Sequence, residues 1–420
     1  MKNLKITMLL LFMFSSVVSY AQIDNRKSLQ YFRQNGRMGV NVFETSKDDT
    51  VKFEGIYVRV GGDFALQFQG FSHENSIIGD PLVDLGANFN LPSANLNLDV
   101  QLADGMRMHL RTYLSSRHHT EAYVKGGYLQ LDKLDFIQEG FLSGLMEIAS
   151  IRVGMDQINY GDAQFRRSDN AAAIYNPFAG NYIMDSFTTE PFFELTLMPS
   201  DWIIVAGLTN GRLNQSPIKG DDGFVFYSKL GWDKQMNDDL RLRLTGSLYS
   251  SSNKSTRDYI YGGDRAGGRY YNTLATVANG GSDFDPRFNP RFGTQTAIQI
   301  NPFVKFQGFE FFGLIESVTN GNDAVGGSYS QTGIEALYRF GTAEQWYFGG
   351  RYNSVSGESN DAGATRDISR LNIGGGWFMT NNVLVKLEYT NQEYSGAGFT
   401  GSRYQDGQFN GIFLEAAIGF

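Results

Sequence analysis

The sequence predicts an all-β fold: a transmembrane antiparallel β-barrel of about sixteen strands with an infolded constriction loop. Three observations support this. Short segments alternate between apolar and polar residues almost without interruption, short and long connections alternate between them, and the composition combines 33 Phe, 22 Tyr and 49 Gly with only 9 Pro. Alternating segments separated by turn residues are typical of barrels that cross a membrane with strands. The chain is therefore expected in a bacterial outer membrane.

The first 21 residues have the pattern of a secretory signal peptide. Lys2 and Lys5 form the charged start, residues 8–14 the apolar run, and Ser19-Tyr20-Ala21 the cleavage site. The apolar run is too short to span a bilayer, so residues 1–21 are expected to be removed. With no cysteine and a net charge of −8, the chain predicts neither disulfides nor a nucleic-acid partner.

Residues 22–50 are polar and mixed in charge, with a possible short helix around residues 26–32. They predict a periplasmic N-terminal lead-in, an ordered tail with no function of its own. Residues 51–420 then form the barrel. Because the lead-in is too short to fill a barrel as the plug of an energised transporter would, passive diffusion is favoured.

The strands follow from a period of two. In the first strand Val58, Val60 and Leu66 share one face, whereas Arg59 and Asp63 share the other. Segments of this kind begin near residues 56, 94, 106, 122, 148, 191, 202, 223, 239, 294, 308, 330, 345, 367, 382 and 408. An even number of strands puts both chain ends on the periplasmic side. One periplasmic connection, residues 133–147, is longer than a turn and is predicted to hold a short helix.

Aromatic residues near the short turns predict an interfacial girdle on the outer surface. They are Trp232, Phe306, Phe340, Trp346 and Phe378. The last strand ends on Phe420, which resembles the C-terminal signal of barrel assembly, although Glu415 stands where that pattern often has Gly. The alternative, a soluble β-sandwich, would turn its apolar faces towards a shared core.

Residues 161–190 form a long loop with no clear strand of its own. Loops of this length are uncommon and are usually functional or disordered. This one has many apolar residues together with the adjacent Arg166 and Arg167, so we expect it to fold into the barrel and narrow it.

Side-chain parity places twelve cationic and nine anionic residues on the lumenal face. Much of this lining could serve only to keep a channel wet, and the two loop arginines could lie on a solvated loop surface. Arg107, Arg111 and Arg152 differ because they fall on neighbouring strands beside the loop. If Asp162, Asp169 and Asp185 of the loop lay opposite these arginines, the two sets of charges would create a transverse field across the pore. The predicted pore-lining and constriction residues are Arg107, Arg111, Arg152, Arg166, Arg167, Arg241 and Arg243.

Several short passages resemble the phosphate-selective porins O and P, in the form found in the Bacteroidetes. They are Ile-Arg-Val-Gly-Met at residues 151–155 followed by Tyr160-Gly161, Ala-Gly-Leu-Thr-Asn-Gly at residues 206–211, and residues 53–71. The resemblance implies a sixteen-stranded barrel, a homotrimer, an infolded third loop and a polar pore. The dense arginine and lysine ladders of the phosphate-selective members are not matched, so phosphate selectivity is not carried over.

The predicted function is a diffusion channel for small hydrophilic or anionic solutes, with a weak anion preference, surrounded by outer-membrane lipid and lipopolysaccharide. Enzymatic function is not expected, since His73, His109, His118 and His119 accompany no nucleophile or metal-binding pattern, and no cofactor is predicted. The alternative is a surface-exposed barrel whose long loops bind a glycan or a partner protein. The tyrosine-rich residues 252–293 are the candidate for that role.

Overall fold

The computed structural model describes residues 28–114, 123–168, 172–211, 224–251, 259–262, 270–278, 280 and 287–420. Sixteen antiparallel strands form a closed barrel in which each strand pairs with its sequence neighbours and β1 pairs with β16. The predicted fold class is therefore confirmed. The signal peptide of residues 1–21, together with His118 and His119, lies outside the described residues.

The strands are β1 Tyr57–Glu74, β2 Asn88–Ala103, β3 Met106–Leu114, β4 Tyr123–Leu131, β5 Ala149–Gln157, β6 Thr189–Leu197, β7 Trp202–Thr209, β8 Val225–Gln235, β9 Leu240–Ser251, β10 Gln295–Phe306, β11 Phe309–Asn320, β12 Ser328–Phe340, β13 Trp346–Glu358, β14 Arg366–Thr380, β15 Val383–Ser395 and β16 Gln408–Gly419. β2 differs most from the prediction, since it begins at Asn88 rather than near residue 94. Pairing with β1 extends as far as Gln69 opposite Asn88, which lengthens both strands outward and shortens the predicted loop between them.

The outer surface of the barrel is apolar. Large side chains such as Val60, Leu230, Ile334 and Leu387 are exposed, and their lumenal neighbours in sequence are buried. A continuous exposed apolar band of this kind is stable against lipid rather than water. Within the described residues, no helix is long and apolar enough to cross a membrane.

One residue of the predicted aromatic girdle points the other way. Phe378 is only 3% exposed and packs inside the barrel, because the outer face of β14 is set by Leu371, Ile373 and Trp377 at a spacing of two. Trp377 takes the outer position instead and stacks on Trp346, with ring centroids 4.7 Å apart. The assignment of Phe378 to the outer surface was wrong by one residue of register.

The long periplasmic connection contains the short helix that its length predicted, α1, at Ser143–Met146. Met146 is buried against Leu134 and Ala149 beneath the barrel wall. A second short helix, α2, spans Tyr259–Gly262 in the connection from β9 to β10. The described residues also contain 3-10 turns at Arg37–Gly39, Ala163–Arg166, Ala173–Tyr175 and Ala397–Phe399.

Candidate pore and constriction

The connection from β5 to β6, residues 158–188 and here called the constriction loop, folds into the lumen as predicted. Its backbone N–H groups donate to side chains on the far wall: Ile183 to Asn353 on β13 (2.6 Å) and Met184 to Gln331 on β12 (2.8 Å). Ala179 N–H donates to Glu388 on β15 (2.7 Å). Because β12 to β15 lie across the barrel from β5, the loop spans the bore.

Arg166 anchors the loop to this far wall. It lies between Glu310 on β11 and Glu335 on β12, is 2% exposed, and donates to both carboxylates. Burial alone would lower the pKa of Arg166, but the two carboxylates outweigh that effect and raise it. A buried ion pair is tolerated when its remaining hydrogen bonds are also made, and here Arg339 and Arg351 donate to the same two glutamates. Arg166 thus holds the loop in place.

Arg167 is used within the loop itself. Its Nε and Nη2 donate to the two carboxylate oxygens of Asp185, at 2.9 and 2.7 Å, and its guanidinium lies 3.8 Å from the ring centroid of Phe187. Asp185 therefore does not face the arginines of β3 and β5. The expected transverse field is wrong for this carboxylate, and Asp169 lies outside the described residues.

Residues 28–56, here called the N-terminal segment, run along the periplasmic rim inside the barrel mouth. Gln30 binds Gln101 and Asp104 beside the turn from β2 to β3, and Arg37 N–H donates to the Asn381 carbonyl at the turn from β14 to β15 (2.7 Å). Asn41 contacts Glu310 on β11, and Lys47 pairs with Asp132 after β4. The N-terminal segment is therefore attached to the barrel at several points around the rim.

This arrangement corrects the interpretation of residues 22–50 as a tail with no role of its own. Its side chains pack on the barrel interior and on the constriction loop: Phe43 meets Phe303 edge-on, and the guanidinium of Arg33 lies 3.8 Å from the ring centroid of Tyr175. The described part of the predicted helix, residues 28–32, is not helical and contains a turn at Gln30 and Tyr31. The sequence did contain an indication of packing, because large apolar residues such as Phe32 and Phe43 are unfavourable in a tail exposed to water.

A buried cluster of charges joins the N-terminal segment, the constriction loop and the wall. Glu44 of the segment and Asp162 of the loop both bind Lys229 on β8 (3.0 and 2.9 Å) and Arg243 on β9 (2.7 and 2.8 Å). Asp162 also accepts from Thr245 (2.8 Å). Asp162 is therefore neutralised here and does not oppose the arginines of β3 and β5, which is the second correction to the expected field.

Burial would raise the pKa of Glu44, but Arg243 and Lys229 outweigh it and hold that pKa well below its usual range. The pKa of Asp162 is lowered by the same two cations against the same effect of burial. A carboxylate with a depressed folded-state pKa stabilises the fold fully above its unfolded pKa, about 4, and this stability is lost as the pH falls through the folded value. The segment is therefore expected to stay docked through mildly acidic pH.

Replacing Asp162→Asn is expected to cost about 3–5 kcal/mol of unfolding free energy, because it leaves two buried cations short of a partner. Urea unfolding in detergent or lipid vesicles, followed by tryptophan fluorescence, measures this loss. Asp201→Asn is the matched control. Asp201 pairs with Lys234 at 2.7 Å, but both side chains are substantially exposed, so its loss should cost below about 1 kcal/mol. Equal losses in the two variants would contradict the structural role of the cluster.

A cavity of about 230 Å³ remains between the N-terminal segment, the constriction loop and the wall formed by β1 to β6. Arg107, Arg111 and Arg152 all line it, so the structure brings these three predicted residues together. Each has a carboxylate beside it on the wall: Asp99 at 3.6 Å, Asp156 at 3.0 Å and Glu194 at 2.8 Å, respectively.

His109 lies between two of these carboxylates, 2.7 Å from Asp99 and 3.9 Å from Asp156. Its inward direction agrees with strand parity, and its ring is held by Asp99.

The other four predicted residues lie elsewhere. Arg166, Arg167 and Arg243 are buried in the contacts described above. Arg241 pairs with Asp233 at 2.7 Å and donates to the Asn41 carbonyl at 3.0 Å, which fixes the N-terminal segment near the periplasmic end of β9. The seven predicted arginines thus form two groups, three that line the cavity and four that hold the elements narrowing it.

Comparison with known proteins supports the fold. No protein-family model matches the sequence, and no curated protein matches it either. Among solved structures, the trimer form of OmpT, an outer membrane protein of Vibrio cholerae, is similar with a TM-score of 0.54 and 12% identity, covering 87% of this chain and 100% of that one. An anion-selective porin from Comamonas acidovorans is similar with a TM-score of 0.53 and 9% identity, covering 87% and 100%. The outer membrane channel DcaP of Acinetobacter baumannii is similar with a TM-score of 0.51 and 10% identity, covering 88% of this chain and 99% of that one. At these identities the likeness concerns the fold, which is that of outer-membrane β-barrels.

Proposed function

We propose that this chain is an outer-membrane porin, a passive diffusion channel for small hydrophilic solutes with a weak anion preference. The observation that carries the proposal is the lumenal cavity lined by Arg107, Arg111 and Arg152 inside a barrel wide enough for an aqueous path. The solved structures of similar fold support a channel, and one of them is an anion-selective porin. No enzymatic activity is proposed.

The path is expected to follow the wall of β1 to β6. On the opposite wall the constriction loop covers the lumenal side chains: Glu335, Arg351 and Lys386 are each about 1% exposed. Arg111 and Arg152 keep 14% and 22% of their side chains exposed. A solute that crosses the barrel would therefore pass Arg111 and Arg152, with the more buried Arg107 behind them.

In two of the three ion pairs the arginine is more exposed than its carboxylate, which supports the weak anion preference, whereas Arg107 and Asp99 are both buried. Arg152 is 22% exposed against 2% for Glu194, and Arg111 is 14% exposed against 5% for Asp156. The carboxylates lie behind the guanidinium groups, so a passing ion first meets positive charge. Arginine rings in narrow pores favour anions in this way. The excess is small because each arginine is paired, and phosphate selectivity is not proposed.

Replacing Arg107, Arg111 and Arg152 together with Gln should shift the reversal potential in a salt gradient from weak anion preference to cation preference. The reason is that Asp99, Asp156 and Glu194 keep their negative charges while losing the three arginines that offset them. Planar-bilayer recording measures this shift, and β-rich circular dichroism verifies the fold of the variant.

Lys234→Gln, a change of an exposed residue at the periplasmic rim, is the control and should leave the reversal potential unchanged. An unchanged reversal potential in the folded triple variant would remove these arginines from the selectivity.

A homotrimer in lipid and lipopolysaccharide is also part of the proposal, supported by the resemblance to trimeric porins and by the trimer form among the similar structures. The second candidate function is a surface-exposed barrel whose long loops bind a glycan or a partner protein. It is favoured by a large cavity among the outer loops, on the side opposite the lumenal path.

A further inference from the structure

The outer mouth of the barrel holds a second cavity, of about 1190 Å³, which we call the outer vestibule. It lies over the ends of β10 to β15, between residues 287–294, 320–325, 359–368 and 394–404. It is separate from the lumenal cavity, which lies on the wall of β1 to β6. Ligand sites in proteins commonly occupy about 300–1,000 Å³, so this vestibule could hold a molecule of several rings.

The charged side chains in the described lining of the vestibule are cationic. Arg287, Arg291, Arg366 and Arg403 line it, and among the described residues its lining includes no aspartate or glutamate. Guanidinium groups recognise carboxylates and phosphates through paired hydrogen bonds. The vestibule is therefore suited to an anion.

Two of these arginines are held in position by the surrounding structure. Arg366 donates to the Gly398 carbonyl at 2.9 Å and to the Tyr329 hydroxyl at 3.2 Å. Arg403 donates to the Tyr404 hydroxyl at 2.7 Å. Ordered cations lose less conformational entropy when they bind an anion than long, mobile side chains do.

The rest of the lining is aromatic and amide-rich. Tyr394 and Tyr404 stack with ring centroids 4.9 Å apart, and Phe399 meets Tyr394 edge-on at 5.6 Å. Tyr394 and Phe399 are buried, so they support Tyr404, the partly exposed ring that can pack against a flat apolar surface of a ligand. Amide and hydroxyl side chains can both donate and accept, which suits a ligand with many hydroxyl groups. Those in the lining are Asn289, Asn320, Asn322, Ser359 and Ser402.

We propose that the outer vestibule binds an acidic oligosaccharide, a chain of sugar rings that carry carboxylate groups. Arg291 and Arg366 account for the acid groups, and the amides and hydroxyls account for the sugar hydroxyls. Tyr404 accounts for an apolar ring face, and the volume accounts for more than one ring. The site does not depend on the barrel conducting, so its test is independent of the proposed channel function.

The vestibule also contacts the constriction loop directly. Phe288 N–H donates to the Ile183 carbonyl at 2.8 Å, and Arg287 donates to the Asp185 and Phe187 carbonyls at 2.6 and 3.0 Å. A saccharide held here would lie above the segment that narrows the bore.

Calorimetric titration of the full mature protein in detergent tests the proposal, with trigalacturonate as the acidic probe and maltotriose as the neutral one. Trigalacturonate is expected to bind at least tenfold more tightly than maltotriose, and less tightly as the salt concentration rises. Arg291→Gln, at an exposed position, and Arg366→Gln should each weaken trigalacturonate by about tenfold or more, the effect of losing one charged hydrogen bond.

Lys305→Gln is the matched control, because Lys305 lies at the periplasmic end of β10 and pairs there with Glu344. It should leave the affinity unchanged. Benzoate serves as a third probe, and it should bind much more weakly than trigalacturonate. Equal affinity for the acidic and neutral sugars, benzoate binding as tight as trigalacturonate, or trigalacturonate binding that Arg291→Gln leaves unchanged would each overturn the proposal.

Discussion

Deleting residues 28–50 is expected to raise single-channel conductance several-fold. These residues run around the inside of the periplasmic mouth. They contact the turn after β2, the turn after β14, strands β11 and β9, and the residue after β4. Without them Phe43 and Glu44 leave the lumen, and the cavity beside Arg152 opens towards the periplasm. The deletion is made between the signal peptide and Val51, and planar-bilayer recording measures the step size.

The point variant Glu44→Gln is the control for this deletion. It weakens the contacts of the segment with Lys229 and Arg243 but keeps the chain in place, so its conductance should rise less than that of the deletion. Identical conductance in the deletion variant and the intact protein, with both correctly folded, would mean that the N-terminal segment does not limit the bore.

Deleting residues 171–180 of the constriction loop should also enlarge the conductance, on the other side of the lumen. This stretch covers β14 to β16: Lys386 donates to the carbonyls of Ala173, Asn176 and Phe178 at 3.0 to 3.1 Å. Its removal exposes Lys386 and Glu388 to water in the bore. Conductance steps in planar bilayers are again the measurement.

The loop deletion keeps Arg166 and its two glutamate partners, so the remainder of the loop should stay attached to β11 and β12. A folded variant with unchanged conductance would show that the deleted stretch lies off the ion path. The two deletions act on opposite sides of the lumen, and their effects on conductance should therefore be roughly additive.

The strands could be predicted from sequence because each depends on a local property, the period of two. Val58 and Arg59 are adjacent in a strand and so point to opposite faces. The register that turns Val58 towards lipid therefore turns Arg59 towards the lumen. At Phe378 the alternation was assigned one residue out of register, so the side chain was predicted to face lipid although it faces the barrel interior. The infolding of the constriction loop was also predictable. Its many apolar residues must be buried, and a single loop cannot bury them without packing against the barrel interior.

The charge partners could not be predicted, because they join residues far apart in sequence. Nothing local to Asp162 indicates that its partners are Lys229 and Arg243 rather than Arg152 across the lumen. The role of residues 28–56 was missed for the same reason. Their polar composition resembles that of a tail, and only the closed barrel brings Glu44 to the two cations on β8 and β9.

The central claim is that this barrel conducts through a bore narrowed by the N-terminal segment and the constriction loop. Recording the intact protein in a planar bilayer tests it most directly. The structure predicts small, discrete conductance steps with a reversal potential slightly on the anion side. An absence of steps from protein whose circular dichroism shows a folded β-barrel would contradict the claim and favour the surface-binding function.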